Sequence, residues 1–200
     1  MIVFLRHGQT DWNSRGLLQG RDDIPLNNQG INQAKCAGYE LAKALKGKSF
    51  KFDKIITSPL SRAEVTAKII SKALGNIPVI KDERLTERDF GILSGKEYDF
   101  TSRVVLENVE EASVETVESI VKRVSALIFE RIKSTENVLI VTHGAVTRIF
   151  AENSKKCPEV SKNDIGIIGN CHMVVYSFDE SDIMLECYDV APSEFCEVIK

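Results

Sequence analysis

Two apolar runs in this chain stop in the same way, and that repetition limits what it can fold into. "VFLRHGQTDWN" leaves its apolar run at Arg6, His7 and Gly8, and "VLIVTHGAVTR" leaves another at Thr142, His143 and Gly144. The chain has 3 histidines, and two of them hold this position. Short, continuous apolar runs with polar ends read as strands buried on both faces. Where such strands alternate with helices, the helices must cover both faces of a mostly parallel sheet.

The rest of the chain keeps that alternation. "IVFLR" is the first strand, and Asn28 to about Leu45 reads as a helix, with Ile31, Ala34, Gly38, Leu41 and Leu45 on one face. "DKIIT" is a second strand; Ser58 then reads as an N-cap and Pro59 as the first helical position. Ala63, Ala67, Ile70 and Leu74 mark the helix that follows. "IPVI" is a third strand, ending before Lys81, and residues 82–113 form an irregular, charge-rich segment. A long helix is expected from about Val114 to Lys133, then the strand "VLIVT" and a short helix after His143. "HMVVYSF" and "IMLECYDV" flank "DESD" and read as an antiparallel hairpin with a four-residue connection. Without repeat, low-complexity tract or linker, residues 1–200 are expected to form one domain.

Composition narrows the function. A net charge of −3 gives no reason to expect nucleic acid or an anionic membrane as partner. No stretch approaches the roughly 20 apolar residues of a membrane span. The opening "MIVFL" is too short for the apolar region of a signal peptide with its basic flank. The 5 cysteines are scattered, without a C-x-x-C pair or a Cys/His cluster, so no metal site is expected and the thiols are read as reduced, in a cytoplasmic protein. A homo-oligomer stays open.

In sheets of this type, ligands bind beyond the carboxyl ends of the strands. Arg6, His7 and His143 sit just past two such ends, and Arg62 falls in the first turn of a helix that follows a third. The glycine after each histidine lets the backbone approach a ligand. Taken singly, each residue is more often structural or solvated. Together, two arginines and two histidines suit an anion with several oxygens, and a phosphoryl group is the natural candidate.

The segment "LRHGQTDWN" resembles the signature of the histidine phosphatase superfamily, the phosphoglycerate mutase-like enzymes. The resemblance continues through "LQGRDDIPLNNQGINQA", "SPLSRAEVTA", "LTERDFGILSG", "VTHGAVTR" and "GNCHMVVY", in the family's order and over nearly the whole chain. It implies a three-layer α/β/α sandwich with one antiparallel strand in a mostly parallel mixed sheet, and a short insertion over the site. It also implies that His7 is a nucleophile that becomes phosphorylated, and that Arg6, Arg62 and His143 with its neighbour Gly144 complete the phosphate pocket. Asn13, Gln19 and Gly20 fall where the family lines that pocket further. Glu87 matches the acidic proton donor, which must arrive carrying the proton that the departing alcohol needs. Chemistry alone does not choose Glu87 over Asp82, Glu83, Asp89 or Glu97. His172 matches no role and reads as structural. No cofactor or metal is implied.

The family contains both phosphatases and mutases. Only 27 residues separate Glu87 from Glu115, with Arg88, Lys96 and Arg103 as their cations, and so short a cover favours water access and hydrolysis. The expected activity is hydrolysis of a small phosphomonoester. A cofactor-dependent phosphoglycerate mutase is the alternative, and a phosphate-binding pseudoenzyme an alternative of another class. Arg88 and Lys96 read as solvated loop charge more readily than as substrate contacts. Leu93 and Ser94 stand where the phosphatase branch more often has Trp and Glu, so the substrate is not named by subfamily.

Overall fold

The computed structural model describes residues 1–97, 113–131, 135–161, 163, 165–179 and 182–199, with the side chains of Arg131, Asp179 and Asp182 left aside. In chain order the elements are β1 (Ile2–Arg6), α1 (Asp11–Ser14), α2 (Asn28–Leu45), β2 (Lys54–Thr57), α3 (Ser61–Ala73) and β3 (Val79–Lys81). Then follow α4 (Val117–Arg131), β4 (Val138–Thr142), α5 (Gly144–Asn153), β5 (Lys155–Lys156), β6 (Met173–Asp179), β7 (Asp182–Val190) and α6 (Phe195–Val198).

The strands form a 7-stranded sheet in the order β3-β2-β4-β1-β6-β7-β5. β1 runs parallel to β4, and β2 lies parallel to β3 and β4. β6 is antiparallel to both β1 and β7, while β5 is parallel to β7, so β6 alone runs against the rest. Because side chains alternate across a strand, each central strand feeds two cores. Ile2, Phe4, Val138, Ile140, Val174 and Tyr176 face α4 and α5, packing on Ile120, Val124, Leu127 and Ile149. Val3, Leu5, Leu139, Val141, Met173 and Val175 face the other side, against Ala34 and Leu41 of α2 and Ala67 and Ile70 of α3. A run such as "IVFL" has no polar member because neither face meets water, and burying each large side chain stabilises the fold by roughly 1.5–3 kcal/mol. The three-layer sandwich expected from the sequence is therefore the observed architecture.

Several local expectations need correction. Ser58 does not cap α3: the N-cap is Leu60, without a side-chain bond, and the amide of Ser61 donates to Asp23 Oδ1 at 2.7 Å. The carboxylate that meets this helix end comes from a loop 38 residues upstream, a favourable charge at the positive end of the helix dipole. β3 is displaced toward the C-terminus, reaching Lys81, because its register is set by pairing with Ile55–Thr57 of β2. α4 begins at Val117 rather than Val114, with Thr116 Oγ1 accepting from the amide of Ser119, while Val114 is buried against Phe90. Lys133, the expected end of that helix, lies outside the described residues. The hairpin strands extend further than expected, pairing Asp179 with Asp182 and shortening the connection to two residues.

Within the irregular segment, 82–97 contains two 3₁₀ turns, Glu83–Leu85 and Gly91–Leu93, and is tied to the loop after β1. Leu18 N donates to Lys96 O at 2.9 Å, and Gly95 N donates to Leu18 O at 2.8 Å. Residues 98–112, Arg103 among them, lie outside the described residues. No helix among the described residues is long and apolar enough to cross a membrane.

Candidate active site

Parallel pairing aligns the strand ends. Arg6 lies opposite Thr142, and the amide of His7 continues the ladder by donating to Thr142 O at 3.0 Å. One strand further, Ser58 N donates to Val141 O at 3.0 Å, which places the exit of β2 beside that of β4. His7 and His143 thereby meet, with ring centroids 5.2 Å apart and planes inclined by 64°. Both are buried, at 1% and 0% exposure.

His7 Nδ1 donates to the carbonyl of its neighbour Gly8 at 2.6 Å. That bond assigns the proton to Nδ1 and leaves the lone pair on Nε2, the arrangement a nucleophile requires. Burial holds the imidazole well below its usual protonation range, and the charges of Arg62 and Arg6 push it lower still; the Gly8 carbonyl works in the opposite sense. His143 is likewise held neutral, by burial first and then by Arg62 and His7. Its Nε2 shares a 2.8 Å hydrogen bond with Ser58 Oγ.

The two arginines are fixed by backbone carbonyls. Arg62, fully buried, donates from Nη1 to Asp22 O at 2.7 Å and from Nη2 to Gly20 O at 2.8 Å. Gly20 adopts φ +51°, a left-handed conformation that suits glycine and turns its carbonyl toward the guanidinium. Arg6 Nη1 donates to Ile168 O at 2.6 Å. Among the described residues, Arg6 Nε, Arg62 Nε and His143 Nδ1 are buried nitrogens without a hydrogen-bond partner. Leaving such a group unpaired costs about 1–3 kcal/mol, so three in one constellation mark a place for an acceptor-rich ligand. Gly144 leaves room for one of them, because a Cβ there would stand 3.3 Å from Arg6 Nε.

Glu87 sits at the opening turn of α5. Its Oε1 accepts from Arg88 N at 2.8 Å and Val146 N at 3.3 Å, and its Oε2 from Ala145 N at 3.4 Å. Its charge also acts on both guanidinium groups. Gln19 and Asn13 are both tied to Thr10 in the loop after β1. Thr10 Oγ1 donates to Gln19 Oε1 at 2.9 Å, and Thr10 and Asn13 form a reciprocal cap on α1.

The profile of the histidine phosphatase superfamily (branch 1) matches residues 2–190. The chain belongs to the histidine phosphatase superfamily. A protein of Bacillus subtilis (strain 168) described as the uncharacterized phosphatase PhoE is 35% identical over 162 residues, covering 80% of each chain. A 2,3-bisphosphoglycerate-dependent phosphoglycerate mutase of Parvibaculum lavamentivorans is also 35% identical, over 196 residues, 90% of this chain and 91% of its own. Chain length therefore does not separate hydrolysis from mutase chemistry here. Among solved structures, a phosphoserine phosphatase of Entamoeba histolytica superposes with a TM-score of 0.69 at 26% identity, covering 92% of this chain and 93% of its own.

Within this superfamily member, Arg88 departs from its expected place as solvated loop charge. It is only 4% exposed; its Nε donates to Glu115 O at 2.8 Å and its guanidinium carbon stands 6.0 Å from the Phe90 ring centroid. Five donors on a buried fork need acceptors, and the backbone before α4 supplies one. Lys96 is exposed. His172 lies outside the His7–His143 pair, with Nδ1 3.0 Å from Asp189 Oδ1. The structure adds three polar residues that the sequence did not single out for the site. Asn170 Nδ2 donates to His7 O at 3.0 Å, Gly8 N donates to Thr66 Oγ1 at 3.1 Å, and Ser58 holds His143. For Asn170, its place within the quoted "GNCHMVVY" block was the available signal; for Ser58 it was the position directly after a buried strand. Among the described residues no group of three or more His, Cys, Asp or Glu side chains is arranged to hold a metal ion.

Proposed function

We propose that the protein is a phosphomonoesterase that hydrolyses a small phosphorylated metabolite through a phosphohistidine at His7. The observation that carries this reading is the convergence of three unpartnered buried nitrogens, Arg6 Nε, Arg62 Nε and His143 Nδ1, with a histidine whose Nε2 is free to attack. A phosphoryl group in flight spreads charge over three peripheral oxygens, and donors fixed in advance stabilise that charge without reorganising.

In the first step His7 Nε2 forms a bond to phosphorus as the ester P–O bond breaks, and Glu87 gives its proton to the departing alkoxide. In the second, Glu87 takes a proton from water, the resulting hydroxide forms the new P–O bond, and the N–P bond breaks to release phosphate. The nucleophile and the charge-stabilising groups are all side chains, so no step calls for a metal.

Among the described residues, four arginines near the cover are already engaged, which supports hydrolysis over mutase chemistry. A mutase must hold a bisphosphorylated intermediate, which requires further cations for its second phosphate. Arg84 is bonded to Asp82 and Glu130, Arg123 to both oxygens of Glu115, and Arg88 to a backbone carbonyl. Arg21 lies 3.7 Å from Asp89 and 3.6 Å from Glu115. The test is release of p-nitrophenol from its phosphate ester in excess chelator. Turnover by wild type and none by His7→Ala supports the reading; no turnover by wild type overturns it in favour of a phosphate-binding module. Rapid conversion of 3-phosphoglycerate to 2-phosphoglycerate with catalytic 2,3-bisphosphoglycerate would make it a mutase.

A further inference from the structure

Resting on that reading, we infer that Ser58 is a positioning residue that sets the tautomer of His143. Its hydroxyl donates to Nε2, so the ring proton sits on Nδ1 and is offered to a phosphoryl oxygen.

Ser58 Oγ has one proton and two lone pairs. Leu60 N donates to it at 3.3 Å and occupies one lone pair. The remaining contact is His143 Nε2 at 2.8 Å. Among the described residues Nε2 is the acceptor within reach of the hydroxyl proton, and Ser58 is fully buried, so water does not replace it. Were Nε2 to carry the ring proton, the hydroxyl proton would be stranded, and Nδ1 would present a lone pair to an anion between two arginines. With the proton on Nδ1, the Ser58 hydroxyl and Nε2 are both satisfied, and Nδ1 is left to donate to a bound phosphoryl oxygen. The unpartnered nitrogen becomes a donor, matching Arg6 Nε and Arg62 Nε.

The two histidines then carry the same tautomer for opposite purposes. His7 directs its Nδ1 proton into the Gly8 carbonyl and frees Nε2 to attack. His143 receives a proton at Nε2 from Ser58 and offers its own from Nδ1. Position 58 does this because it extends β2 by one residue beside β4, through the bond from its amide to Val141 O.

Nitrogen-15 NMR of histidine-labelled protein reads the tautomer directly. With 3 histidines in the chain, His7→Ala and the partly exposed His172 make the assignment simple. The expected wild-type spectrum has a protonated, pyrrole-type Nδ1 and a bare, pyridine-type Nε2 at His143. A protonated Nε2 there overturns the inference. In Ser58→Ala the tautomer signature should invert or average, and kcat/KM for p-nitrophenyl phosphate should fall about 10- to 100-fold, the scale for outer partners of functional histidines. Ser58→Thr, which keeps the hydroxyl, should restore the signature and most of the turnover. A folded Ser58→Ala with an unchanged His143 signature, or with full turnover, refutes the assignment. If that variant does not fold, the wild-type spectrum decides alone. Loss of the phosphatase reading would show as inactive wild type, whatever the spectrum reports.

Discussion

Glu87 accepts hydrogen bonds from the amides of Ala145 and Val146, the residues that follow His143 and Gly144 into α5. The proposed proton donor and the second site histidine are thus held by one helix start, although they come from segments 56 residues apart in the chain.

Glu87→Gln removes the proton donor while keeping the size of the side chain. Turnover of alkyl phosphates should fall about 10²- to 10⁴-fold, the usual contribution of general acid catalysis. p-Nitrophenyl phosphate should lose much less, because p-nitrophenolate departs without a proton. Comparing kcat/KM for the two ester types in wild type and variant checks this; equal losses would remove Glu87 from that role.

The neutral histidines give a pH signature. In the folded protein His7 and His143 protonate well below 6.5, so kcat/KM should hold as pH falls from 7 through 6.5 and drop only when the depressed value of His7 is reached. Stability behaves differently. Below about 6.5 the unfolded chain binds protons at these two positions that the folded protein refuses, so stability falls progressively until the folded values are reached. Denaturant midpoints measured from pH 7.5 to 5 should decline, and His7→Ala should weaken the slope.

Arg62→Lys keeps a positive charge but cannot span two carbonyls and still present a third donor. Wild type uses Nη1 and Nη2 for Asp22 O and Gly20 O, leaving Nε for the ligand. A single ammonium on a flexible stem must abandon one task. Turnover should drop about 10²-fold or more, and inorganic phosphate should inhibit the variant more weakly; near-normal inhibition would contradict the pocket.

Gly8→Ala should be costly because helix α2 presses on the loop after β1. A Cβ at Gly8 would stand 2.4 Å from Gly30 O, a backbone atom that cannot rotate away. Destabilisation of about 1–3 kcal/mol is expected from such overpacking. Gly166→Ala, with open space around its Cβ, is the control and should shift the thermal midpoint little. A Gly8→Ala protein as stable as this control would mean that the loop and helix are not in close contact.

Local pattern determined much of this protein. The apolar runs marked β1 and β4, and the spacing of Ala34 and Leu41 marked α2 from Asn28 to Leu45. Two strands ending in His-Gly announced where the chemistry would gather, since burial is paid for along a run while the residue just beyond it is free to serve a ligand. Tertiary structure decided the remainder, because hydrogen bonds between distant segments leave no trace in local spacing. Asp23, not Ser58, meets the start of α3; Ser58 is turned to His143 by strand register; Arg88 is drawn inward by the carbonyl before α4. Which nitrogen of each histidine carries its proton belongs to that second category, for it depends on which acceptor or donor the folded chain brings within about 3 Å.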